Sequence, residues 1–213
     1  MIKLERTSVM NFENAIRGAR NPMNSWAKLD SSYNENGEFV FGENDLDLAR
    51  RLAHAGSDHR KFLRQIFVSV DITAPLYWWK EADTYQVGVT KNSTSTMHKL
   101  ASTPITLECF ETDDYDKAAV DEIETALPIN FVDSLISHLE DLRQEYNATK
   151  DKRYWKELIR WLPNGWLQTR TVTMNYENLR NMYHQRRGHK LSEWRAFCEW
   201  CEQLPYAKEL IID

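Results

Sequence analysis

Residues 175–187 place amide and guanidinium groups at helical spacing, and such groups can recognise a planar ring and an anion. At about 100° per residue, Asn178, Asn181 and Gln185 form one polar stripe of a predicted helix. Arg186 falls instead on the neighbouring apolar stripe, where an unpaired buried charge is costly. Its guanidinium is therefore expected either to reach water along its aliphatic stem or to meet an anion.

Two interpretations of Arg186 stay open on spacing alone. A basic residue in the last turn of a helix is favoured by the helix dipole, so an exposed helix end explains it without a ligand. A guanidinium is also the side chain best suited to grip a phosphate, because it donates two parallel hydrogen bonds. The next residue, Arg187, lies about 100° further round the helix and is expected to be more exposed.

Signatures of common enzyme classes are missing from the sequence. It holds no glycine-rich phosphate loop, no G-x-S-x-G nucleophile elbow and no H-E-x-x-H metal-binding helix. The six histidines are scattered, so no metal site is predicted. Cys198 and Cys201 form a C-x-x-C, but they share a helical stripe with Trp194 and Phe197, which favours core packing.

Composition and charge exclude several classes of partner. The 213 residues carry a formal net charge of -5, which argues against general binding of duplex nucleic acid or of a membrane surface. The longest apolar runs are too short to cross a bilayer, and the start does not have the layout of a signal peptide. Three cysteines make no disulfide framework. We therefore expect a cytoplasmic protein that binds neither nucleic acid nor membrane.

The elements that must position these groups mix helices and strands without a regular βαβ rhythm. Strands are predicted over 2–7, 66–72, 105–110 and 167–174, and helices over 11–20, 44–53, 74–82, 129–146, 152–162, 175–185 and 191–204. Residues 22–36 and 84–96 are predicted to be irregular, Asn44 to cap the second helix and Gly56 to end it. We expect one α+β domain over residues 1–213 with a long central helix.

The predicted helix at 175–185 resembles a motif of the flavin-dependent thymidylate synthases of the ThyX type, also called thymidylate synthase complementing proteins. The family pattern N-x-x-x-L-x-N-F-L-x-L-R is matched by Asn175, Leu179, Asn181 and Arg186. The resemblance implies that Asn175 and Asn181 contact the flavin and that Arg186 holds the nucleotide. A tryptophan-bearing helix follows in the family, and Trp194 is its counterpart here.

Two upstream segments resemble the same family in the same order. His59 precedes a strand that ends in Ala-Pro, which makes it the counterpart of the family's flavin-contacting histidine, although a lone histidine there is more often a loop residue. The family signature R-H-R-x-x-S-x-N-x-x-S-x-R then corresponds to residues 84–97, where Asn92 and Ser95 keep the N-x-x-S spacing. The resemblance implies that Asn92 binds the substrate and that Ser95 belongs to the catalytic site.

The arginines of that signature are missing, so this would be a divergent member of the family. Thr84, Tyr85 and Gln86 stand where the family has its paired arginines, and Met97 replaces the last one. In the family these arginines bind FAD and the nucleotide phosphate, and a hydroxyl or a thioether supplies no fixed cation. Four basic residues lie nearby in the sequence and are candidates to replace them: Lys80, Lys91, His98 and Lys99.

The resemblance implies an enzyme that methylates dUMP reductively to dTMP. Methylenetetrahydrofolate would supply the carbon, NADPH would reduce FAD, and the flavin would deliver hydride. A homotetramer with active sites shared between chains is also expected. Because the arginines are missing, two alternatives stay open. One is a protein of this fold that binds a nucleotide without making thymidylate, as a sponge, a regulator or an interaction module. The other is a flavoenzyme that modifies another pyrimidine.

Overall fold

The computed structural model describes residues 2–113, 115, 116, 118 and 130–213. Helices and strands are mixed along these residues, which confirms the α+β prediction. The strands are β1 (Lys3–Met10), β2 (Ser32–Tyr33), β3 (Phe39–Val40), β4 (Phe67–Pro75), β5 (Thr90–Ser93) and β6 (Leu167–Asn175). The α-helices are α1 (Phe12–Ala19), α2 (Glu43–His54), α3 (Leu76–Ala82), α4 (Thr96–Lys99), α5 (Phe131–Thr149), α6 (Lys152–Arg160), α7 (Tyr176–Arg186) and α8 (Ser192–Glu202).

One sheet has the strand order β1-β4-β6-β5, and β2 pairs with β3 in a separate antiparallel hairpin. Along β4, buried residues alternate with more accessible ones, and Val68, Val70 and Ile72 lie on the buried face. This is the period of two that β-branched residues on a half-buried strand predict. In the described part of the chain, no helix is both long enough and apolar enough to cross a membrane.

Contacts along the chain divide it into two compact units. Unit 1 comprises residues 73–82 and 93–170, and unit 2 comprises residues 2–72, 83–92 and 171–213. Strands β4 and β6 both run from one unit into the other, at residues 72–73 and 170–171. A single domain over residues 1–213 stays a prediction.

Unit 1 packs an apolar core around α5 and α6. Its buried members are Leu100, Ile105, Phe110, Leu139, Leu142 and Leu158. The predicted long helix is α5, and the side chain of Asn130 accepts a hydrogen bond from the backbone N–H of Asp133 in its first turn. The predicted start of this helix at Ile129 lies outside the described residues.

Unit 2 has a core rich in aromatic rings. The ring of Phe12 lies 5.5 to 5.7 Å, between centroids, from the rings of Phe39, Phe41, Tyr176 and Tyr206. Three of these four pairs meet edge to face, the arrangement that ring quadrupoles favour. Tyr176 is the first residue of α7, so this cluster packs the start of that helix against the core of unit 2.

Buried Asp45 organises the irregular segment that precedes α2. Its carboxylate accepts hydrogen bonds from Nε of Arg20 at 2.6 Å, from the hydroxyl of Ser31 at 2.6 Å, and from the backbone N–H groups of Asp30 and Ser31. Burial by itself raises the pKa of Asp45, but the hydrogen bonds from Ser31 and Arg20 outweigh it and leave the pKa below its ordinary value. The charge of Asp45 is therefore part of what holds this segment in place.

The start of α2 differs from its prediction. Asn44 does not cap the helix, because α2 already begins at Glu43 with Gly42 in the cap position. The carboxylate of Asp30 instead accepts hydrogen bonds from the backbone N–H groups of Asn44 and Asp45, at 2.8 and 3.0 Å. A residue 14 positions away thus satisfies the orphan donors of the helix.

The prediction of a strand over residues 105–110 is wrong. A 3-10 helix spans Leu107–Cys109, and Phe110 forms an isolated bridge to Trp166. The N–H of Cys109 donates to the carbonyl of Thr106, and the N–H of Phe110 donates to that of Leu107. Because local turns use these backbone groups, a ladder with another strand cannot form there.

Candidate functional site

Helix α7 begins with a reciprocal pair of asparagines. Oδ1 of Asn175 accepts from the backbone N–H of Asn178 at 2.9 Å, and Oδ1 of Asn178 accepts from that of Asn175 at 3.1 Å. This capping box satisfies backbone donors that a helix start leaves without partners. The side-chain oxygen of Asn175, a predicted flavin contact, is thus already used by the helix itself.

Residues 85–89, which we call the covering turn, lie against this end of α7. Nδ2 of Asn178 donates to the carbonyl oxygen of Val87 at 2.8 Å. Gly88 has a φ of 75°, a left-handed conformation that favours glycine. A Cβ at Gly88 would lie 2.9 Å from Nδ2 of Asn175, so the close approach also requires glycine. The predicted amide stripe of α7 therefore faces the segment that resembles the family's arginine signature.

At the other end of the helix, Arg186 contacts two aromatic rings. Its Nε donates to the hydroxyl of Tyr85 at 2.9 Å, and its guanidinium carbon is 4.7 Å from the ring centroid of Trp194 and 5.6 Å from that of Tyr85. The same hydroxyl donates to Oε1 of Gln185 at 2.8 Å. Arg186 is half-buried, and a hydroxyl and two π faces of its own chain hold its charge.

Lys91, a candidate to replace the signature arginines, lies just after the covering turn and pairs with Asp83, which lies just before it. Its Nζ lies 2.9 Å from Oδ1 of Asp83 and 3.4 Å from the carbonyl oxygen of Tyr85. An aspartate therefore balances the charge of Lys91. Residues 84–96, predicted to be irregular, contain the short strand β5, and Asn92 lies exposed on it.

The predicted flavin residues of unit 2 lie on or near α7. Asn181 is half-buried in the middle of that helix, whereas the side chain of His59 is exposed. His59 directly precedes Arg60, whose Nε contacts both carboxylate oxygens of Glu177 on α7, at 3.0 and 3.1 Å. The ion pair between Arg60 and Glu177 therefore positions the backbone that carries His59.

Ser95, the predicted catalytic-site residue, belongs to unit 1. Its Oγ accepts a hydrogen bond from the backbone N–H of His98 at 3.2 Å, in the first turn of α4. Together with Thr94, Thr96 and Lys99 it lines a cavity of about 150 Å³. Hydroxyl and ammonium groups of this kind can donate hydrogen bonds to an oxyanion.

Sequence reasoning missed a second polar face of α7. Arg180 is 7% exposed, and its Nη1 lies 3.5 and 3.3 Å from the carbonyl oxygens of Leu210 and Ile211. Burial lowers the pKa of Arg180, nearby Arg60 lowers it further, and Glu177 opposes them. The available signal was the spacing of Glu177 and Arg180, which are three residues apart on one helix face.

The C-x-x-C of α8 is part of the core of unit 2. Cys198 and Cys201 are both buried and both free thiols. Burial raises the pKa of Cys198 to about 11 and that of Cys201 well above its ordinary value. Both thiols are thus protonated and weakly reactive at neutral pH. Within the described residues, no group of three or more His, Cys, Asp or Glu side chains could hold a metal ion.

A larger cavity of unit 2, of about 950 Å³, does not have Arg186 among its described lining residues. Aromatic side chains, among them those of Phe12, Phe39 and Trp200, contribute to its wall together with Glu38. No lysine or arginine is among its described lining residues, so it has no cation for a phosphate. Arg186, the predicted nucleotide-binding residue, is therefore not part of the described lining of this cavity.

Comparisons with known proteins identify the fold. No protein-family model and no curated protein matches this chain. A solved structure of thymidylate synthase X (ThyX) from Helicobacter pylori with FAD and dUMP matches 99% of this chain and 97% of its own, with a TM-score of 0.69 and 14% identity. A second structure of the flavin-dependent thymidylate synthase ThyX from Helicobacter pylori, complexed with FAD and dUMP, matches with the same coverage, a TM-score of 0.66 and 15% identity. The chain has the ThyX fold.

Proposed function

We propose that this chain is a ThyX-like protein that binds a flavin and a pyrimidine nucleotide, with reductive methylation of dUMP to dTMP as its leading activity. One observation carries the proposal. The segments that resemble the family's two ligand-binding motifs meet within unit 2, where Nε of Arg186 donates to the hydroxyl of Tyr85 at 2.9 Å. Structures of the same fold were solved with FAD and dUMP, which supports this choice of ligands.

The donor groups of α7 fit these ligands in chemical type. The amide of Asn178 already donates to a carbonyl oxygen, that of Val87, and uracil and isoalloxazine rings offer the same acceptor. In the proposal, His59, Asn175 and Asn181 contact the flavin, and Arg186 binds the nucleotide phosphate. FAD supplies hydride-transfer chemistry when bound, and the side chains of the protein bind and orient it.

The proposal has further parts that concern the substrate and the setting. Asn92 contacts the nucleotide, and Ser95 belongs to the catalytic site. NADPH and methylenetetrahydrofolate are the co-substrates. The protein acts in the cytoplasm. Its active form is a homotetramer, because sites of the ThyX type are shared between chains. Light scattering at micromolar concentration tests the assembly, and a stable monomer would count against a shared site.

A second candidate function is nucleotide binding without thymidylate synthesis. Tyr85 and Met97 stand at positions where the family signature has arginines, and neither side chain provides a fixed cation for a phosphate. Lys91, a possible replacement, is paired with Asp83 at 2.9 Å. A protein with fewer cations for FAD and nucleotide phosphates would still read a pyrimidine ring through the amides of α7.

Retention of FAD separates the two candidates. The purified protein is incubated with excess FAD, passed through gel filtration, and examined for the visible absorption of oxidised flavin in the protein peak. Co-eluting flavin, followed by conversion of dUMP to dTMP with NADPH and methylenetetrahydrofolate, is the expected result. Colourless protein that still binds dUMP in a calorimetric titration would replace the enzyme by the nucleotide-binding protein.

A further inference from the structure

The ligand-binding groups proposed on α7 already have partners from the covering turn. The hydroxyl of Tyr85 accepts from Nε of Arg186, and the carbonyl of Val87 accepts from Nδ2 of Asn178. A phosphate oxygen and a ring carbonyl are the equivalent acceptors on a nucleotide. The turn thus presents, at two points, the same kinds of atoms that the ligand would present.

From these contacts, and given the proposed function, we propose that the covering turn is an internal plug of the nucleotide site. A phosphate that binds Nε of Arg186 must displace the hydroxyl of Tyr85 from that nitrogen. The plug therefore lowers the apparent affinity, since only the fraction of molecules with the turn withdrawn is competent to bind. Tyr85, at a position where the family signature has arginine, is then a residue that sets ligand affinity.

The turn has the properties that withdrawal requires. Val87 at its tip is 89% exposed, so the tip itself buries little apolar surface, whereas Tyr85 and Val89 on either side of it are half-buried. The ion pair between Asp83 and Lys91 joins, at 2.9 Å, the residues that flank the turn, and both lie outside the part that would withdraw. Gly88 lies close to the side-chain amide of Asn175, and this contact is neither a covalent bond nor an ion pair.

The Tyr85→Phe variant tests the plug directly. Phenylalanine keeps the ring beside Trp194, where the two ring centroids are 6.1 Å apart, and removes the hydroxyl that holds Arg186. We expect inorganic pyrophosphate and dUMP to bind this variant about tenfold more tightly than wild type, because a hydrogen bond to a charged group no longer competes. Calorimetric titration measures the change.

Two further variants control this test. Tyr85→Phe combined with Arg186→Ala should lose the gain, because the gain depends on the released guanidinium. Tyr33→Phe is the matched control, since it also removes a tyrosine hydroxyl bonded to a side chain of unit 2, that of Glu13 at 3.2 Å. Its affinity for pyrophosphate should equal that of wild type.

Hydrogen exchange reports withdrawal of the covering turn without a measurement of affinity. The N–H of Val89 donates to the carbonyl of Gln86 within the turn, so its exchange should speed up when pyrophosphate or dUMP binds to wild type.

Equal or weaker binding by Tyr85→Phe would overturn the plug and make Tyr85 a positioning residue for Arg186. Failure of both proteins to bind either probe overturns it as well. Tighter binding by Tyr85→Phe without FAD retention leaves the plug standing and removes the flavin function.

Discussion

The polar side chains on the two faces of α7 have different kinds of hydrogen-bond and ion-pair partners. On one face, Glu177 and Arg180 are 6% and 7% exposed, and their partners are Arg60 and the backbone carbonyls near the C-terminus. On the other face, Asn178 and Gln185 are more accessible, and their partners belong to the covering turn. The first face holds charge that is almost fully buried, whereas in the proposed function a ligand replaces the partners of the second.

Because of this difference, substitutions on the two faces of this one helix are expected to affect different properties, folding stability on one face and ligand binding on the other. Removing one partner of a buried ion pair leaves a charge without solvation, which is among the largest effects of a single substitution. Removing a partner of an accessible amide costs less, since water takes its place. We therefore expect the face with Glu177 to control folding and the face with Asn178 to control ligand binding.

Substitution of Glu177 gives the largest expected effect. Glu177→Ala leaves the guanidinium of Arg60 without its carboxylate partner and removes the negative charge near Arg180, so the free energy of unfolding should fall by about 3–5 kcal/mol. Denaturant unfolding followed by circular dichroism measures it. Arg187→Ala, an exposed change one residue beyond the same helix, is the control and should stay within about 0.5 kcal/mol. A loss below 1 kcal/mol for Glu177→Ala would show that water reaches this face as easily as the other.

Asp45, on α2, is another buried charge, and its contribution to stability is expected to depend on pH. Its carboxylate has a lowered pKa in the folded state, so its contribution to stability is complete above the ordinary aspartate pKa of about 4 and is lost as pH falls toward the folded value. Asp45→Asn should lower the free energy of unfolding by about 1.5–3 kcal/mol at neutral pH, because it weakens hydrogen bonds to a charged group.

The difference in stability between wild type and Asp45→Asn should then shrink as the pH is lowered below 4. Denaturant titrations of both proteins between pH 3 and pH 7 measure it. A difference that is the same at every pH would mean that the charge of Asp45 does not hold the segment before α2. Asp47→Asn, at an exposed position of α2, is the matched control.

Arg186 should affect binding without a comparable effect on folding. Arg186→Ala is expected to weaken dUMP binding by about ten- to a hundredfold, because a charged hydrogen bond to phosphate is lost. Arg187→Ala should change it little, since its side chain is exposed outside the cluster with Tyr85 and Trp194. Calorimetric titration of both variants decides, with circular dichroism to show that each is folded. Similar behaviour of the two variants would place the nucleotide elsewhere.

The amide stripe of α7 could be predicted because helical periodicity is local. Asn178 and Gln185 are seven residues apart, so their common face follows from the sequence alone. What covers that face could not be predicted, since Tyr85 meets Arg186 across 101 residues of chain. The side-chain cap of α2 escaped prediction for the same reason, because it comes from Asp30 rather than from the start of the helix.

The strands also show that a local sequence pattern does not reveal contacts between distant residues. β4 was predicted well, because Val68, Val70 and Ile72 alternate with accessible residues over a whole strand. The β-branched and aromatic residues at 105–110 carried a similar local signal, yet Ile105 and Phe110 pack into the core of unit 1 from a turn. Tertiary packing overrides strand propensity there.

Substitutions of Asn175 have the smallest expected effect on stability. They also separate its two roles most clearly, one as the cap of α7 and the other as a proposed flavin contact. Asn175→Ser keeps an oxygen that can accept from the backbone N–H of Asn178, and serine caps helices about as well as asparagine. The free energy of unfolding should therefore change by no more than about 0.5 kcal/mol, whereas Asn175→Ala should lose about 1 kcal/mol. Serine also removes Nδ2, the group that the proposed flavin contact requires.

Retention of FAD by Asn175→Ser after gel filtration then reports on the binding role alone. If Asn175 contacts the flavin, the serine variant should retain less FAD than wild type while unfolding at the same denaturant concentration. If FAD is retained equally and only Asn175→Ala is destabilised, Asn175 is a helix cap and nothing more. In that case the match of α7 to the family motif at this position reflects how the helix begins, because an asparagine cap is favoured at any helix start.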